Sequence, residues 1–338
     1  MEDLLGKDLS EIQAVCENLG FAKFKAKEIF SAVNRKLITN LSELTTLGLK
    51  EREKLAEQFY VLDLQPLKLE KSKDAAKALF QLSDGNLVET VFMDSRDERK
   101  TICISSQVGC PIGCTFCATG QLGFKRNLTV AEILGQVYFF ARQYKISNLV
   151  FMGMGEPFLN YDNVLKAIDI LNIEIGLNIA SRKIVVSTIG IIPGINKFAQ
   201  SHKQLRLAWS LVAPFDQVRR ELIGYSGLPT IKETIAALNE YHEITGRRIT
   251  IEYVVLNGIN DSIQDAAELA TIARQIDSHV NLIPYNASPG QKFSTGKTKN
   301  VLAYLKNNGI NVTVRQSLGQ EISAACGQLA GKQARCQP

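Results

Sequence analysis

The residue types able to do chemistry are concentrated between Cys103 and Cys117, in the stretch CISSQVGCPIGCTFC, which holds four of the seven cysteines of a 338-residue chain. Three of them, Cys110, Cys114 and Cys117, form a C-x3-C-x2-C run. Thiolates this close together in one loop can hold a soft metal centre at three points. Four-iron clusters are bound by Cys thiolates, normally with a fourth protein ligand, and none follows locally. An iron without a protein thiolate is a position open to substrate, much as a catalytic zinc keeps one position open. Two other readings stand beside this one. A zinc site tends to use four ligands in paired Cys or Cys/His spacing, but no His lies within 80 residues of the run. Buried structural cysteines are the other, although GCPIGC suits a tight loop better than a core strand.

The elements that must position this loop follow it. From residue 101, the strand-like runs TICISS (101–106), NLVFMG (148–153), KIVVST (183–188), LRLAWSL (205–211), TIEYVVL (250–256), HVNLIP (279–284) and NVTVRQ (311–316) alternate with helical patterns. Thr129 with Glu132 is a capping-box pattern opening TVAEILGQVYFFARQY, and Thr230 with Glu233 opens a helix through Tyr241. This alternation predicts a parallel sheet with right-handed crossovers. Six units are too few for an eightfold barrel, so the expected fold class is α/β, an open partial (β/α)6 barrel over residues 101–331. Its site belongs at the carboxyl ends of the strands.

Residues 1–65 read as a small helical domain. Asp8 or Ser10 caps a segment with Leu9, Ile12, Val15 and Leu19 on one face, and Cys16 beside it reads as core. A second helix turns Phe21, Phe24, Ile29, Phe30 and Val33 inward and leaves Lys23, Lys25, Lys27, Arg35 and Lys36 outside. That basic side is either a solvated face or a surface for docking RNA. A third helix is expected over Leu49–Phe59. Residues 66–100 carry LKLEKS, AKALFQL and NLVETVFM, read as a small connecting sheet with a hairpin turn at Asp84-Gly85-Asn86. Glu89, in the last of these strands, is either an ordinary exposed carboxylate or a functional one. Residues 332–338 read as a frayed tail in which Cys336 is incidental.

Hydrophobic residues at 45% and charged residues at 22% are ordinary for a globular enzyme, and a net charge of +5 permits a phosphate-bearing partner without requiring one. No run of 18 apolar residues marks a membrane span, and the acidic, polar start MEDLLGKDLSEIQ is unlike a secretory signal. An odd number of cysteines fits thiols kept reduced. A cytoplasmic enzyme with no membrane partner is expected.

The C-x3-C-x2-C run with Phe116 before its last Cys is similar to the radical S-adenosylmethionine (SAM) superfamily. Its surroundings SSQVGC, CTFCATG and GFKRNLT, with VETV at Glu89, MGMGEPFLNYDNV at Glu156, VSTIG at Ser187, LIPYN at Asn286 and ACGQLAG at Cys326, resemble the RlmN/Cfr family of RNA adenine methyltransferases across roughly residues 87–331. The resemblance implies a [4Fe-4S] cluster held by Cys110, Cys114 and Cys117, and two SAM molecules per turnover. It implies that Gly155 and Glu156 bind the SAM amino group, and that Ser187, Ser210, Leu211, Val212 and Asn286 help bind its ribose and carboxylate. Read without it, GMGEP is a plain βα turn, and the polar residues at strand ends are helix caps.

The resemblance also implies a mechanism. Adenine C2 is electron-poor and offers no nucleophile, so the chemistry demands a carbon radical. Cys326 takes a methyl from one SAM, a 5′-deoxyadenosyl radical from the second removes a hydrogen from that methyl, and the methylene radical adds to C2. Cys103 then releases the adduct through a transient disulfide with Cys326, while Glu89 accepts the C2 proton. The implied partners are 23S rRNA and tRNA, with a one-electron reductase such as flavodoxin or ferredoxin, and a monomer is expected. Two family motifs differ here: S-L-H-A is Ser210-Leu211-Val212-Ala213, and proline-isoleucine-asparagine is replaced within Ile223-Gly224-Tyr225-Ser226. The expected product is 2-methyladenosine, because GEPFLNYDN and LIPYN look more like RlmN. The alternatives are Cfr-type methylation at C8, a radical SAM enzyme for a small molecule or protein, and a non-catalytic RNA-binding protein with a structural metal.

Overall fold

Asp8 accepts from the Glu11 amide while the Glu11 carboxylate accepts from the Asp8 amide, and this capping box starts the first helix of the computed structural model, which describes residues 1–95, 98–201, 204–287 and 292–330. The N-terminal unit runs β1 (Glu2–Asp3), α1 (Leu9–Asn18), α2 (Lys25–Asn34), α3 (Leu49–Ala56) and β2 (Phe59–Tyr60). Ile12, Val15 and Cys16 are buried on α1, as the spacing requires. Two expectations are corrected here. Phe24 is 61% exposed, because α2 starts after it and buries a stripe through Ala26, Ile29, Phe30 and Val33 instead. The third helix stops at Ala56, because Phe59 and Tyr60 pair in parallel with Glu2 and Asp3.

β3 (Pro66–Lys71), β4 (Ala75–Gln81) and β5 (Leu87–Asp94) are antiparallel, and Gly85 takes φ 78° in the β4–β5 turn. They are not a separate sheet. β5 pairs antiparallel with β6 (Lys100–Cys103), the first strand of the parallel series, so ten strands form one sheet. β7 (Gln107–Gly109) and β8 (Phe124–Asn127) make a hairpin that frames the cysteine loop. Gly109 there has φ 74°, and a Cβ would stand 1.8 Å from the Gly123 carbonyl oxygen, so glycine is required to close it.

The chain continues through α4 (Val130–Ala141), β9 (Asn148–Phe151), α5 (Tyr161–Asn172), β10 (Ile184–Thr188), α6 (Ile192–Ser201), β11 (Arg206–Ser210), α7 (Asp216–Leu222) and α8 (Ile231–Thr245). It ends with β12 (Ile249–Val255), α9 (Ile263–Arg274), β13 (Ser278–Pro284), α10 (Thr298–Asn307) and β14 (Val312–Val314). Strands β6, β9, β10, β11, β12, β13 and β14 are parallel neighbours in that order, with β14 at one edge of the sheet and β3 at the other. Six βα units therefore end on a seventh strand and the sheet stays open, the partial (β/α)6 barrel expected. Both capping boxes are present, and α8 runs past Tyr241 to Thr245, where Gly246 in the left-handed conformation ends it. Among the described residues, no helix is long and apolar enough to cross a membrane.

The N-terminal helices dock on α4. Arg142 donates to the Leu37 carbonyl (3.1 Å), and the Tyr138 hydroxyl donates to Asn34 Oδ1 (2.8 Å) while Asn34 donates to the Phe30 carbonyl (3.0 Å). The Asn34→Leu substitution leaves the Tyr138 phenol, only 2% exposed, without this acceptor. A loss of about 1–3 kcal/mol is expected, read as a lower urea midpoint at unchanged m-value; an unshifted midpoint would contradict this coupling.

Candidate functional site

Cys110, Cys114 and Cys117 line one cleft at the carboxyl ends of the parallel strands. Their loop is fixed by backbone bonds from Cys110 to Gly123 (3.0 Å), from Cys117 to Cys114 (3.1 Å) and from Thr115 to Leu222 (2.9 Å). Gly120 lies so close that a Cβ would meet the Cys114 carbonyl oxygen at 2.7 Å. Burial pushes all three thiols above their ordinary value, Cys110 up to about 12, and at Cys114 the charges of Cys117 and Cys110 add to that push. Buried sulfurs that oppose one another's ionisation are what a bound cationic centre relieves. Among the described residues, no three donors converge on a point that one metal ion could occupy. A four-iron cluster offers a separate corner to each ligand, and three thiols from one short loop on one cleft are a donor set that fits it.

The strand ends build the facing wall. Gly155 has φ 102°, and a Cβ would stand 2.6 Å from the Gln107 side chain. Gln107 accepts from the Glu156 amide (2.9 Å), and the Glu156 carboxylate accepts from the amides of Phe158 (3.1 Å) and Ile189 (3.0 Å). Burial drives this carboxyl up to about 7 despite those donors. The hydroxyls of Ser187 and Ser210, on β10 and β11, lie 3.1 Å apart on the cleft wall. Val212 shares that wall at φ 69°, a left-handed conformation that β-branched residues rarely adopt, and its carbonyl accepts from Asn260 (2.7 Å). Leu211 is not on the wall; it is fully buried, and its amide donates to the Trp209 and Glu252 carbonyls. Asn286 faces an adjoining cavity instead, where its Oδ1 accepts from Gln320 (2.6 Å).

Cys326 stands on the wall common to the cleft and that second cavity, and Cys103, at the end of β6, opens onto the second. The segment carrying Cys326 is held from several sides. Ala118 donates to the Gly327 carbonyl (2.8 Å), the Thr119 hydroxyl to the Leu329 carbonyl (2.6 Å), and Gln328 to the Ala287 carbonyl (2.8 Å). The Ala330 amide donates to the Glu89 carboxylate (2.7 Å). Both cysteines are free thiols. Burial first, and the charge of Cys326 second, push Cys103 up to about 12, while Arg315 pulls the other way. Glu89 is only 4% exposed and pairs with Lys77, which overturns the reading of it as an exposed strand carboxylate.

Sequence reasoning passed over Arg315 and Lys77. The Arg315 guanidinium lies 3.3 Å from Met152 Sδ and 3.9 Å from the Glu252 carboxylate, on the cavity that Cys103 and Cys326 share. A lone lysine in the apolar run AKALFQL was the available signal for Lys77; nothing local marks Arg315. Cys16 is buried in the core, whereas Cys336 and the tail lie outside the described residues.

A thiol raised to about 12 is nearly all protonated at neutral pH. In the folded protein, Cys103 should react with iodoacetamide about 10³-fold more slowly at pH 8 than an ordinary cysteine, and its rate should climb about tenfold per pH unit. Peptide mapping after timed alkylation checks this; labelling at the pace of a small free thiol would contradict it.

Known proteins share this architecture. Residues 104–270 match the model of the Radical SAM superfamily. The chain is 42% identical, over 97% of each sequence, to the probable dual-specificity RNA methyltransferase RlmN of Dictyoglomus thermophilum. It is 40% identical to the ribosomal RNA large subunit methyltransferase N of Nitrosopumilus maritimus, over 97% of this chain and 98% of that protein. A radical SAM methyltransferase from Sphaerobacter thermophilus superposes with a TM-score of 0.93 at 39% identity, covering 98% of this chain and 100% of that one. Relatives from Dictyoglomus carry the RlmN name rather than that of Cfr, and the superfamily brings with it a four-iron cluster and SAM. The chain belongs to the RlmN family of radical SAM RNA methyltransferases.

Proposed function

We propose that this enzyme forms 2-methyladenosine in 23S rRNA and tRNA by way of a one-carbon unit carried on Cys326. The observation that carries the proposal is the position of Cys326, on the wall between the three-cysteine cleft and the cavity of Cys103. Cys110, Cys114 and Cys117 would hold the cluster, which with SAM supplies one-electron chemistry, a 5′-deoxyadenosyl radical able to take hydrogen from a methyl on Cys326. Two SAM molecules serve each turnover, one as methyl source and one as radical source. Gly155 and Glu156 bind the SAM amino group, a cation suited to a buried carboxyl. Ser187, Ser210 and Val212 flank its ribose and carboxylate, Leu211 supports that wall from behind, and Asn286 reaches it from the adjoining cavity.

The sulfur pair is then controlled by charge. With Cys103 at about 12, roughly one thiol in 10⁵ is ionised at pH 7, so the resting pair is protected from premature oxidation. Once Cys326 carries carbon as a thioether it has no proton to lose, and Cys103 is the one sulfur of the pair that can still ionise. Arg315 stays beside it and favours the thiolate. Glu89 accepts the C2 proton, and the unpaired electron that radical addition leaves on the base would return to the one-electron centre that Cys110, Cys114 and Cys117 would hold, which leaves a closed-shell thioether. Cys103 then attacks the Cys326 sulfur, the S–CH2 bond breaks, and the carbon leaves with the electron pair and gains a proton to become the methyl group. The two cysteines end as a disulfide, which a reductant must reopen.

Residues 1–65 are assigned to RNA docking, with Lys23, Lys27, Arg35 and Lys36 exposed on their surface. The electron donor is a one-electron reductase such as flavodoxin or ferredoxin, and the enzyme acts as a monomer. The Cys103→Ala variant tests the scheme in an anaerobic assay with SAM, reductant and tRNA or an rRNA fragment. A covalent enzyme–RNA adduct through Cys326 is expected, with release of product falling to background. Free methylated RNA from that variant would overturn the resolving role, and a methyl found at C8 would overturn the regiochemistry.

A further inference from the structure

Lys77 is a buried charge in the middle of β4, and the proposed chemistry does not use it. Sheet register explains where it points. Lys77 lies opposite Glu70 of β3 on one side and opposite Val91 of β5 on the other, and Val91 lies opposite Cys103 of β6. Directly opposed residues share a face, so Glu70, Lys77, Val91 and Cys103 form one row on the side of the sheet where the Cys326 segment lies. With neighbouring strands about 4.8 Å apart, the backbones of Lys77 and Cys103 are about 10 Å apart. Glu89 faces Leu79, two residues along β4 from Lys77, and so shares that face as a diagonal neighbour.

The Lys77 ammonium gathers three acceptors. It lies 3.2 Å from Glu89 Oε1, 3.4 Å from Glu70 Oε2 and 3.3 Å from the Ser323 carbonyl oxygen. Its own side chain is 8% exposed and that of Glu89 is 5% exposed, whereas that of Glu70 is 32% exposed and also pairs with Lys68. The other Glu89 oxygen accepts from Ala330. Lys77 and Glu89 thus grip the 323–330 segment at both ends, three residues before Cys326 and four after it. A buried lysine removed from this set would take a counter-charge from a buried carboxylate and leave one end of the segment untied.

We propose that Lys77 is a positioning residue for removal of the C2 proton. Its ammonium fixes the Glu89 carboxylate against the segment that carries Cys326, so that base and adduct keep one relation, and Glu70 supplies the outer counter-charge. The inference rests on Glu89 being the base that accepts the C2 proton. The radical step precedes proton removal and does not require the pair.

Lys77→Met, Lys77→Arg and Glu89→Gln variants, each reconstituted with iron and sulfide, separate the possibilities in single-turnover assays with tRNA. The readouts are 5′-deoxyadenosine, covalent enzyme–RNA adduct and free methylated RNA. Lys77→Met is expected to form 5′-deoxyadenosine within about twofold of the native yield, to release product about tenfold more slowly and to accumulate adduct. Lys77→Arg should restore most of the release rate. Should Lys77→Met fail to take up iron, Lys77→Gln, which keeps a donor but not the charge, answers the same question. Product release at the native rate without adduct, or a loss of 5′-deoxyadenosine as large as the loss of product, overturns the inference. If Glu89→Gln itself releases product normally, the assignment of the base has failed. If Glu89→Gln traps the adduct and Lys77→Met does not, the positioning role alone has failed.

Discussion

Everything at the site depends on how the segment around Cys326 is tied down. It belongs to no helix or strand, so its order comes from outside: the cysteine loop through Ala118 and Thr119, the strand β5 through Glu89, and β4 through Lys77. An open sheet makes this possible. Because β14 and β3 remain separate edges, the chain leaving β14 can cross the barrel, where Gly319 donates to Asp74 (3.3 Å) and packs against Ala75 with no room for a side chain. A closed barrel would have filled that path with strands.

Burial sets the electrostatics, and it works in one direction on every sulfur of the site that it visibly shifts. The thiols of Cys103, Cys110, Cys114 and Cys117 are all pushed up, desolvation being the first cause in each. For the trio, a bound cationic centre would turn mutual repulsion into shared ligation. For Cys103 the opposing influence is Arg315, whose charge favours the thiolate.

Much of this was legible in the residues themselves. Capping boxes at Thr129 and Thr230, the run of strand segments and the spacing of Cys110, Cys114 and Cys117 are local signals, and each appears where it was expected. What escaped was non-local. The pairing of β5 with β6 joins two runs that read as belonging to different units, and only register reveals it. Phe24 was misplaced because helical period says which residues share a face but not where the helix begins. Leu211 and Asn286 sit at strand ends like Ser187 and Ser210, yet pleating and the C-terminal segment send them elsewhere. Lys77 and Arg315 gain their meaning from partners far away in sequence, Ser323 and Glu89 for one, Met152 and Glu252 for the other.

The most direct measurement follows the carbon. Anaerobic enzyme is incubated with SAM bearing a trideuterated methyl group, then digested and mapped by mass spectrometry. The label is expected on the Cys326 sulfur, and RNA methylated by that enzyme should retain two of the three deuteriums, because one is lost when the methyl on sulfur becomes a radical. An unlabelled Cys326 in enzyme that methylates RNA, or a product methyl with all three deuteriums intact, would contradict a carrier role for this cysteine.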